Sequence, residues 1–274
     1  MKHLDRFFAG RCIAGIGQPE VNRYVSARRE EGAVNSTIRR ELSTLTRMLR
    51  IAYKNGKLLR LPLVEKPKEG APREGFFEVQ QYDAVRRRLR PDLQVATAIA
   101  YTLGWRMQSE VLTLERRQVD LNAGTLRLDP GATKNSDGRL VYLTPDLKTL
   151  LGQQLDRVDR LSLRLGRIIP HVFPHLTGIR CGQRMRDFRK AWATACTKAG
   201  VPGKYRHDFR RTAVRNMVNA GVVERVAMAV TGHKTRNVFD RYHIVSPADL
   251  QEVARKLTGT FPGTVPSAAV DSCP

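Results

Sequence analysis

At 274 residues, with 48 Lys+Arg set against 26 Asp+Glu, the chain carries a formal net charge of +22. Such a length holds one large or two modest domains around a substantial core, and such a charge points to a polyanionic partner, nucleic acid first. No stretch approaches the roughly 20 apolar residues of a membrane span, which excludes integral membrane classes, and the opening MKHLDRFFAG lacks the apolar region of a signal peptide.

The four cysteines, Cys12, Cys181, Cys196 and Cys273, are scattered without a C-x-x-C pair. Neither a zinc site nor a disulfide framework is suggested, and a reducing, cytosolic setting fits best. His171 and His175 stand four apart, but Pro174 lies between them, so they read as loop histidines rather than a helical metal pair.

In VNRYVSARREEGAV, Val21, Tyr24, Val25 and Arg28 recur at helical spacing and Gly32 is a stop. A second helix is predicted to open after Asn35-Ser36, both good N-cap residues. Its apolar stripe is Ile38, Leu42, Leu45, Leu49 and Ala52, closed by Gly56. The other faces carry Arg39, Arg40, Arg47, Arg50 and Lys54. A solvated basic face is the plain alternative; with the charge of the whole chain, a helix laid against a DNA backbone is the better reading. Residues 62–75, PLVEKPKEGAPREG, suit no packed element and read as an interdomain linker.

A second domain begins at 76 with two helical segments, the second apolar through Val95, Ala98, Ile99 and Tyr101. GWRMQSEVLTL follows, with Arg106 and Glu110 one helical turn apart, a spacing at which a carboxylate can fix a guanidinium and leave its fork free for phosphate. Taken alone such a pair is common and mostly structural. The period then changes: QVDLNAGTLRLDPGATKNSDGRLVYL reads as short antiparallel strands separated by turns at 122–124, 129–131 and 135–138, with Lys134 beside the last turn. A helical region is predicted over 145–170, ending before Pro170, then helices around Phe188, Trp192 and Ala195, over HDFRRTAVRNMVNAGV with Gly221 as its stop, and over VERVAMAVTG up to Gly232-His233, with a final one from Ser246-Pro247. The tail after 258 is rich in Pro, Ser, Thr and Gly and is expected to be disordered.

Near the C-terminus, HDFRRT (207–212) and TGHKTRNVFDRYH (231–243) gather His207, Arg210, His233, Arg241 and Tyr242. A tyrosine hydroxyl is a usable nucleophile where cations neutralise the charge it attacks and a base takes its proton. Phosphoryl transfer depends mainly on positioning and charge stabilisation, which arginines and histidines supply.

Arg106, Lys134, His207, Arg210, His233 and Tyr242, in that order, resemble the residue set of the tyrosine recombinase (phage integrase) family, most closely phage-type integrases of bacteria in HDFRRTAVRNMVNAGV and GHKTRNVFDRY. Gly104 to Glu110 is similar to the family's first arginine motif, where Gly-x-Arg-x-x-Glu leads into a leucine-rich turn. One departure is Phe209, where the family's His-x-Leu-Arg pattern has Leu.

The resemblance implies a mainly α fold with a small antiparallel β-sheet (α+β). A helical core-DNA-binding domain is expected at 1–61, a linker at 62–75, a catalytic domain at 76–258 and a flexible tail at 259–274, with no room for a separate arm-binding domain. It further implies that Tyr242 attacks the scissile phosphate to form a 3′-phosphotyrosine while Arg106 and Arg210 clamp the non-bridging oxygens. Lys134 would protonate the leaving 5′-oxygen, His207 act as acid/base, His233 hydrogen-bond the phosphate and Glu110 orient Arg106. No cofactor is implied, neither metal nor ATP. The implied partners are double-stranded DNA at specific recombination sites, a homotetramer assembled on it, and accessory DNA-bending or directionality factors, in the bacterial cytoplasm at the nucleoid. A type IB topoisomerase and a non-catalytic DNA-binding relative stay open as alternatives.

Overall fold

The computed structural model describes residues 2–70, 75–131, 138–240, 242 and 247–257. The chain divides into two units, Met1–Arg73 and Glu74–Pro274.

The first unit is helical: α1 (Lys2–Phe8), α2 (Gln18–Glu30) and α3 (Asn35–Lys54). The whole predicted stripe of α3, Ile38, Leu42, Leu45, Leu49 and Ala52, is buried, against Leu4, Val21 and Tyr24. Inside this core Tyr24 donates to Glu41 at 2.8 Å and Arg28 makes a two-armed pair with the same carboxylate at 3.0 Å. Such a pair satisfies the buried charges mutually. Asn35 and Ser36 are the first residues of α3 rather than its cap, a position held by Val34. Asn35 instead donates through its side chain to the Lys68 carbonyl at 2.9 Å.

On the basic side of α3, Arg40, Arg47, Arg50 and Lys54 are exposed. Arg39 differs from the sequence expectation. It donates to the Pro67 carbonyl at 2.9 Å and pairs with Glu69 at 3.2 Å. The segment read as a linker has no regular element up to residue 70, yet Arg39, Asn35 and Gln18, which accepts from the Glu65 N–H at 2.9 Å, pin its first half to this unit.

In the second unit, α4 (Val79–Arg86) and α5 (Pro91–Leu103) lead to a single π turn (Met107–Val111). A three-stranded antiparallel sheet follows, β1 (Val119–Asp120), β2 (Thr125–Leu128) and β3 (Arg139–Tyr142), in that order. Then come α6 (Pro145–Leu165), α7 (Arg189–Lys198), α8 (Asp208–Asn219), α9 (Glu224–Thr231), α10 (Arg236–Asp240) and α11 (Pro247–Leu257). The short α1 and α10 have no counterpart in the sequence-based reading, since neither is long enough to show a period.

α5 is buried on nearly every side because α8 and α6 both pack on it. Register in the sheet sets which side chains enter the core: Leu126 pairs with Val141 and Leu128 with Arg139. Directly opposed residues share a face, so Arg139 enters with the buried Leu126, Leu128 and Val141, while Leu140 and Tyr142 point outward and are exposed.

Phe209 is the hub of an aromatic cluster, with ring centroids 4.9 Å from Phe77, 5.2 Å from Trp192, 5.8 Å from Tyr82 and 6.1 Å from Tyr101. The departure from Leu at this position is therefore an aromatic packing choice. Phe209→Ala should destabilise this unit by about 3–5 kcal/mol. Urea unfolding followed by tryptophan fluorescence measures it, because both tryptophans, Trp105 and Trp192, lie in this unit.

Candidate active site

α5 ends at Gly104 in the left-handed region, φ +69°. A β-carbon there would sit 3.0 Å from Thr231 Cγ2 and 3.1 Å from the Ala213 β-carbon. Glycine thus serves both the backbone turn and the close approach of α8 and α9. The next residue, Trp105, is buried and donates its indole N–H to the Val230 carbonyl at 2.9 Å.

Arg106 is not on a regular α-helix, as the spacing suggested. It is the extended residue before the π turn, with φ −68° and ψ 122°. Glu110 lies four residues on, one more than in Gly-x-Arg-x-x-Glu, and a π turn absorbs one extra residue. Glu110 is fully buried. One of its oxygens accepts the Arg106 backbone N–H at 2.7 Å; the other accepts Arg106 Nη1 at 2.6 Å and Arg139 Nη2 at 2.6 Å. Arg106 keeps partial access to solvent, its side chain 28% exposed.

Arg210 stands on the first turn of α8 and is buried. Its Nη1 donates to the Gly104 carbonyl at 2.9 Å and its Nε to His233 Nε2 at 3.0 Å. Its Nη2 is buried and has no hydrogen-bond partner among the described residues. Burial, and next the positive field of Arg106, pushes the Arg210 pKa down to about 10, still charged at neutral pH.

Because His233 Nε2 accepts from Arg210, its proton resides on Nδ1, 2.8 Å from Thr231 Oγ1. The Thr231 hydroxyl in turn donates to the Ala227 carbonyl at 2.7 Å. Both ring nitrogens thus face protein groups, and His233 holds Arg210. Burial, then Arg210, Arg106 and Arg139, drive its pKa down to about 3 and keep the ring neutral.

The Tyr242 hydroxyl lies 3.1 Å from His207 Nε2. The phenol ring sits 4.7 Å from the His233 ring and carries the guanidinium carbons of Arg210 and Arg211 at 5.7 Å and 5.6 Å from its centroid. His207 precedes α8 as its N-cap residue. Desolvation around the imidazole, then the cations Arg210, Arg211 and Arg106, lowers its pKa below the usual value. A neutral imidazole is competent to accept a proton from the facing hydroxyl.

A cleft of about 520 Å³ opens over this group, lined by Arg106, Gln108, Ser109, Tyr205, His207 and Arg210 among others. Five of the seven predicted site residues in this unit thus come together: Arg106, Glu110, His207, Arg210 and Tyr242, with His233 directly behind. Lys134 lies outside the described residues, as does Arg241. Arg40, Arg47, Arg50 and Lys54 belong to the other unit. Arg139 was missed. Its signal was the parity of β3: had Val141 been taken as the inward residue, Arg139 would have been inward as well.

A phage integrase family profile matches residues 78–248. The chain belongs to the phage integrase family. The integrase of Salmonella phage P22 is 25% identical over 228 residues, 82% of this chain, and the chain spans 58% of that relative's length. Among solved structures, a Tn1549 transposon integrase in complex with a circular intermediate DNA has a TM-score of 0.73 at 13% identity, covering 93% of this chain and 91% of that one. A lambda integrase dimer bound to a COC′ core site has a TM-score of 0.68 at 16% identity, covering 89% and 85%. The mainly helical fold with a small antiparallel sheet is thus that of the integrases. No helix among the described residues is long and apolar enough to cross a membrane.

The neutral His233 predicts a pH dependence of stability. The unfolded ring protonates near 6.5 and the folded one near 3, so between these values protons favour the unfolded chain. The stability is complete above about pH 6.5 and lost as pH falls. From pH 8 to pH 5 His233 should contribute about 2 kcal/mol of loss. Unfolding curves of wild type and His233→Gln measure it: the wild-type loss over this range should exceed the variant's by that amount.

Proposed function

We propose that this integrase-family chain is a site-specific DNA recombinase that breaks and rejoins strands through a 3′-phosphotyrosine, for integration or excision of a phage or other mobile element. The observation that carries the reading is the Tyr242 hydroxyl, 3.1 Å from a His207 of lowered pKa, with Arg210, whose buried Nη2 lacks a partner among the described residues, against the same phenol ring. An unsatisfied buried guanidinium donor is costly unless an anion completes it. A phosphate oxygen is that anion.

In the proposed reaction Tyr242 Oη forms a bond to phosphorus and the P–O5′ bond breaks. The phenol proton passes to His207 Nε2. Arg210 and Arg106 stabilise the charge that builds on the non-bridging oxygens. His233 and Glu110 hold these two arginines in place. Lys134, by resemblance, supplies the proton to the leaving 5′-oxygen, and religation reverses each transfer. The phosphotyrosine conserves the energy of the broken bond, so the chemistry requires neither ATP nor metal.

The substrate is double-stranded DNA at specific sites. The first unit, with Arg40, Arg47, Arg50 and Lys54 exposed on one helix, is the core-binding domain, and the second the catalytic domain. A solved lambda integrase is a tetramer bound to a Holliday junction, and a homotetramer on DNA is proposed for this chain. The site of action is the cytoplasmic nucleoid.

Covalent trapping tests the reading. Wild type, incubated without metal with nicked duplexes tiled across the DNA flanking the gene, should give a protein–DNA adduct on a few sequences, and Tyr242→Phe none on any. An adduct surviving Tyr242→Phe would remove Tyr242 as nucleophile, and adducts on nearly every duplex would favour a topoisomerase. Arg210→Ala should lose about 100-fold or more in cleavage with a much smaller loss in binding. Alanine at Arg47, Arg50 or Lys54 should weaken binding evenly across sequences, each lost phosphate contact flattening the log Kd against log salt slope by about 1.

A further inference from the structure

Arg139 opens β3 and has a side chain only 8% exposed. A guanidinium removed from water needs its donors satisfied, and here they are spent on two separate elements. Nη2 donates to Glu110 Oε1 at 2.6 Å and Nη1 to the Thr231 carbonyl, the last residue of α9, at 3.0 Å. The guanidinium carbon lies 5.4 Å from the Trp105 ring centroid. One side chain thereby ties the first strand position after residues 132–138 to the Arg106 turn and to the end of α9.

Gly232 records the same arrangement independently. Its φ is +73°, and a β-carbon on it would fall 2.6 Å from the Arg139 guanidinium carbon. The glycine before His233 therefore leaves the space that Arg139 fills.

The charge count gives this contact a purpose. Glu110 facing Arg106 alone would be a closed, neutral pair. With Arg139 on the same carboxylate oxygen the trio carries a net charge of about +1, so Arg106 stays available as a cation to an incoming phosphate. Arg139 also adds to the field that keeps His233 neutral, alongside burial, Arg210, Arg106 and His207.

We propose that Arg139 is a positioning residue for the strand-cleavage step, neutralising Glu110 so that Arg106 remains a net cation and locking β3, the Arg106 turn and the Gly232-His233 corner in one register. The inference rests on the recombinase reading. Being buried, Arg139 acts through Arg106 and His233 and touches no substrate.

The test uses the full chain and the nicked duplexes on which wild type forms an adduct. Single-turnover adduct formation at saturating duplex is compared with duplex affinity for Arg139→Gln and Arg139→Lys. The Gln variant should slow adduct formation about 100-fold, the scale of a misplaced reacting group, with affinity changed by about threefold or less. The Lys variant, which keeps the charge but not the fork, should fall between, about tenfold below wild type. In a Glu110→Gln background, adding Arg139→Gln should cost far less than it does in wild type, because the charge it balances is gone.

A Gln variant cleaving at the wild-type rate would overturn the proposal. So would rate and affinity falling together without recovery by Lys, which would make Arg139 a fold contact only. Should the Gln variant melt below the assay temperature, the Lys variant decides: a slower rate at unchanged affinity supports the proposal, and a wild-type rate overturns it. Wild type giving no adduct on any duplex would instead defeat the recombinase reading itself.

Discussion

One buried carboxylate organises the second unit. Glu110 is inaccessible to solvent, and its oxygens accept donors from Arg106, from the Arg106 backbone and from Arg139. Taking a lone charge out of water costs several kcal/mol. Two guanidiniums make the site possible and leave it a cationic surplus. Three elements distant in sequence, the turn after α5, the start of β3 and the end of α9, are thereby fixed relative to one another before any substrate arrives. Positioned charge of this kind is how a site that transfers a phosphoryl group lowers its barrier without reorganising at the moment of reaction.

A second circuit runs from Gly104 through α8. The Gly104 carbonyl accepts from Arg210, Arg210 donates to His233, and His233 faces Thr231, whose hydroxyl closes on the Ala227 carbonyl. This chain works only with a neutral imidazole, because a protonated ring would present a donor to the guanidinium and a second positive charge at 3 Å or so. Burial, and after it the cations around the ring, enforce neutrality. The glycines at 104 and 232 are part of the same design: each has a positive φ, and at each a β-carbon would strike a residue of the network, Thr231 and Ala213 in one case, Arg139 in the other.

Much of this was legible in the sequence because its signals are local. The α3 stripe from Ile38 to Ala52 has a clean 3.6-residue period, and every position of it is buried. The small sheet was announced by turn residues and alternation. His207, Arg210 and Tyr242 stand out because phosphodiester chemistry needs a narrow choice of side chains, whereas Arg106 and Glu110 join them only through the resemblance to the phage integrase family. What was not legible depends on register or long-range partners. Arg39 looks like its neighbours on the basic face until the chain returns at Pro67 and Glu69 to occupy it. The role of Arg139 hinges on a strand parity that RLVYL leaves ambiguous, since Leu140 and Tyr142 are as apolar as Val141. Nothing in GHKTR reveals that Arg210 and Thr231 lie within hydrogen-bond distance of the two His233 ring nitrogens.

The net charge of +22 therefore serves two purposes that composition alone cannot separate. Exposed cations such as Arg40, Arg47, Arg50 and Lys54 act at a distance screened by salt, and suit sequence-independent attraction to a polyanion. Arg28 and Arg215 are largely buried and matched by Glu41 and Glu78, so they hold the fold. Arg210 belongs to neither group. It is as buried as the structural arginines, yet its partners are a neutral imidazole and a carbonyl, and its Nη2 has no partner among the described residues. An arginine kept charged, with no carboxylate partner and a free Nη2 among the described residues and its guanidinium carbon 5.7 Å from the Tyr242 ring centroid, is suited to an anion. The surrounding fold holds that guanidinium in place through the Gly104 carbonyl and His233.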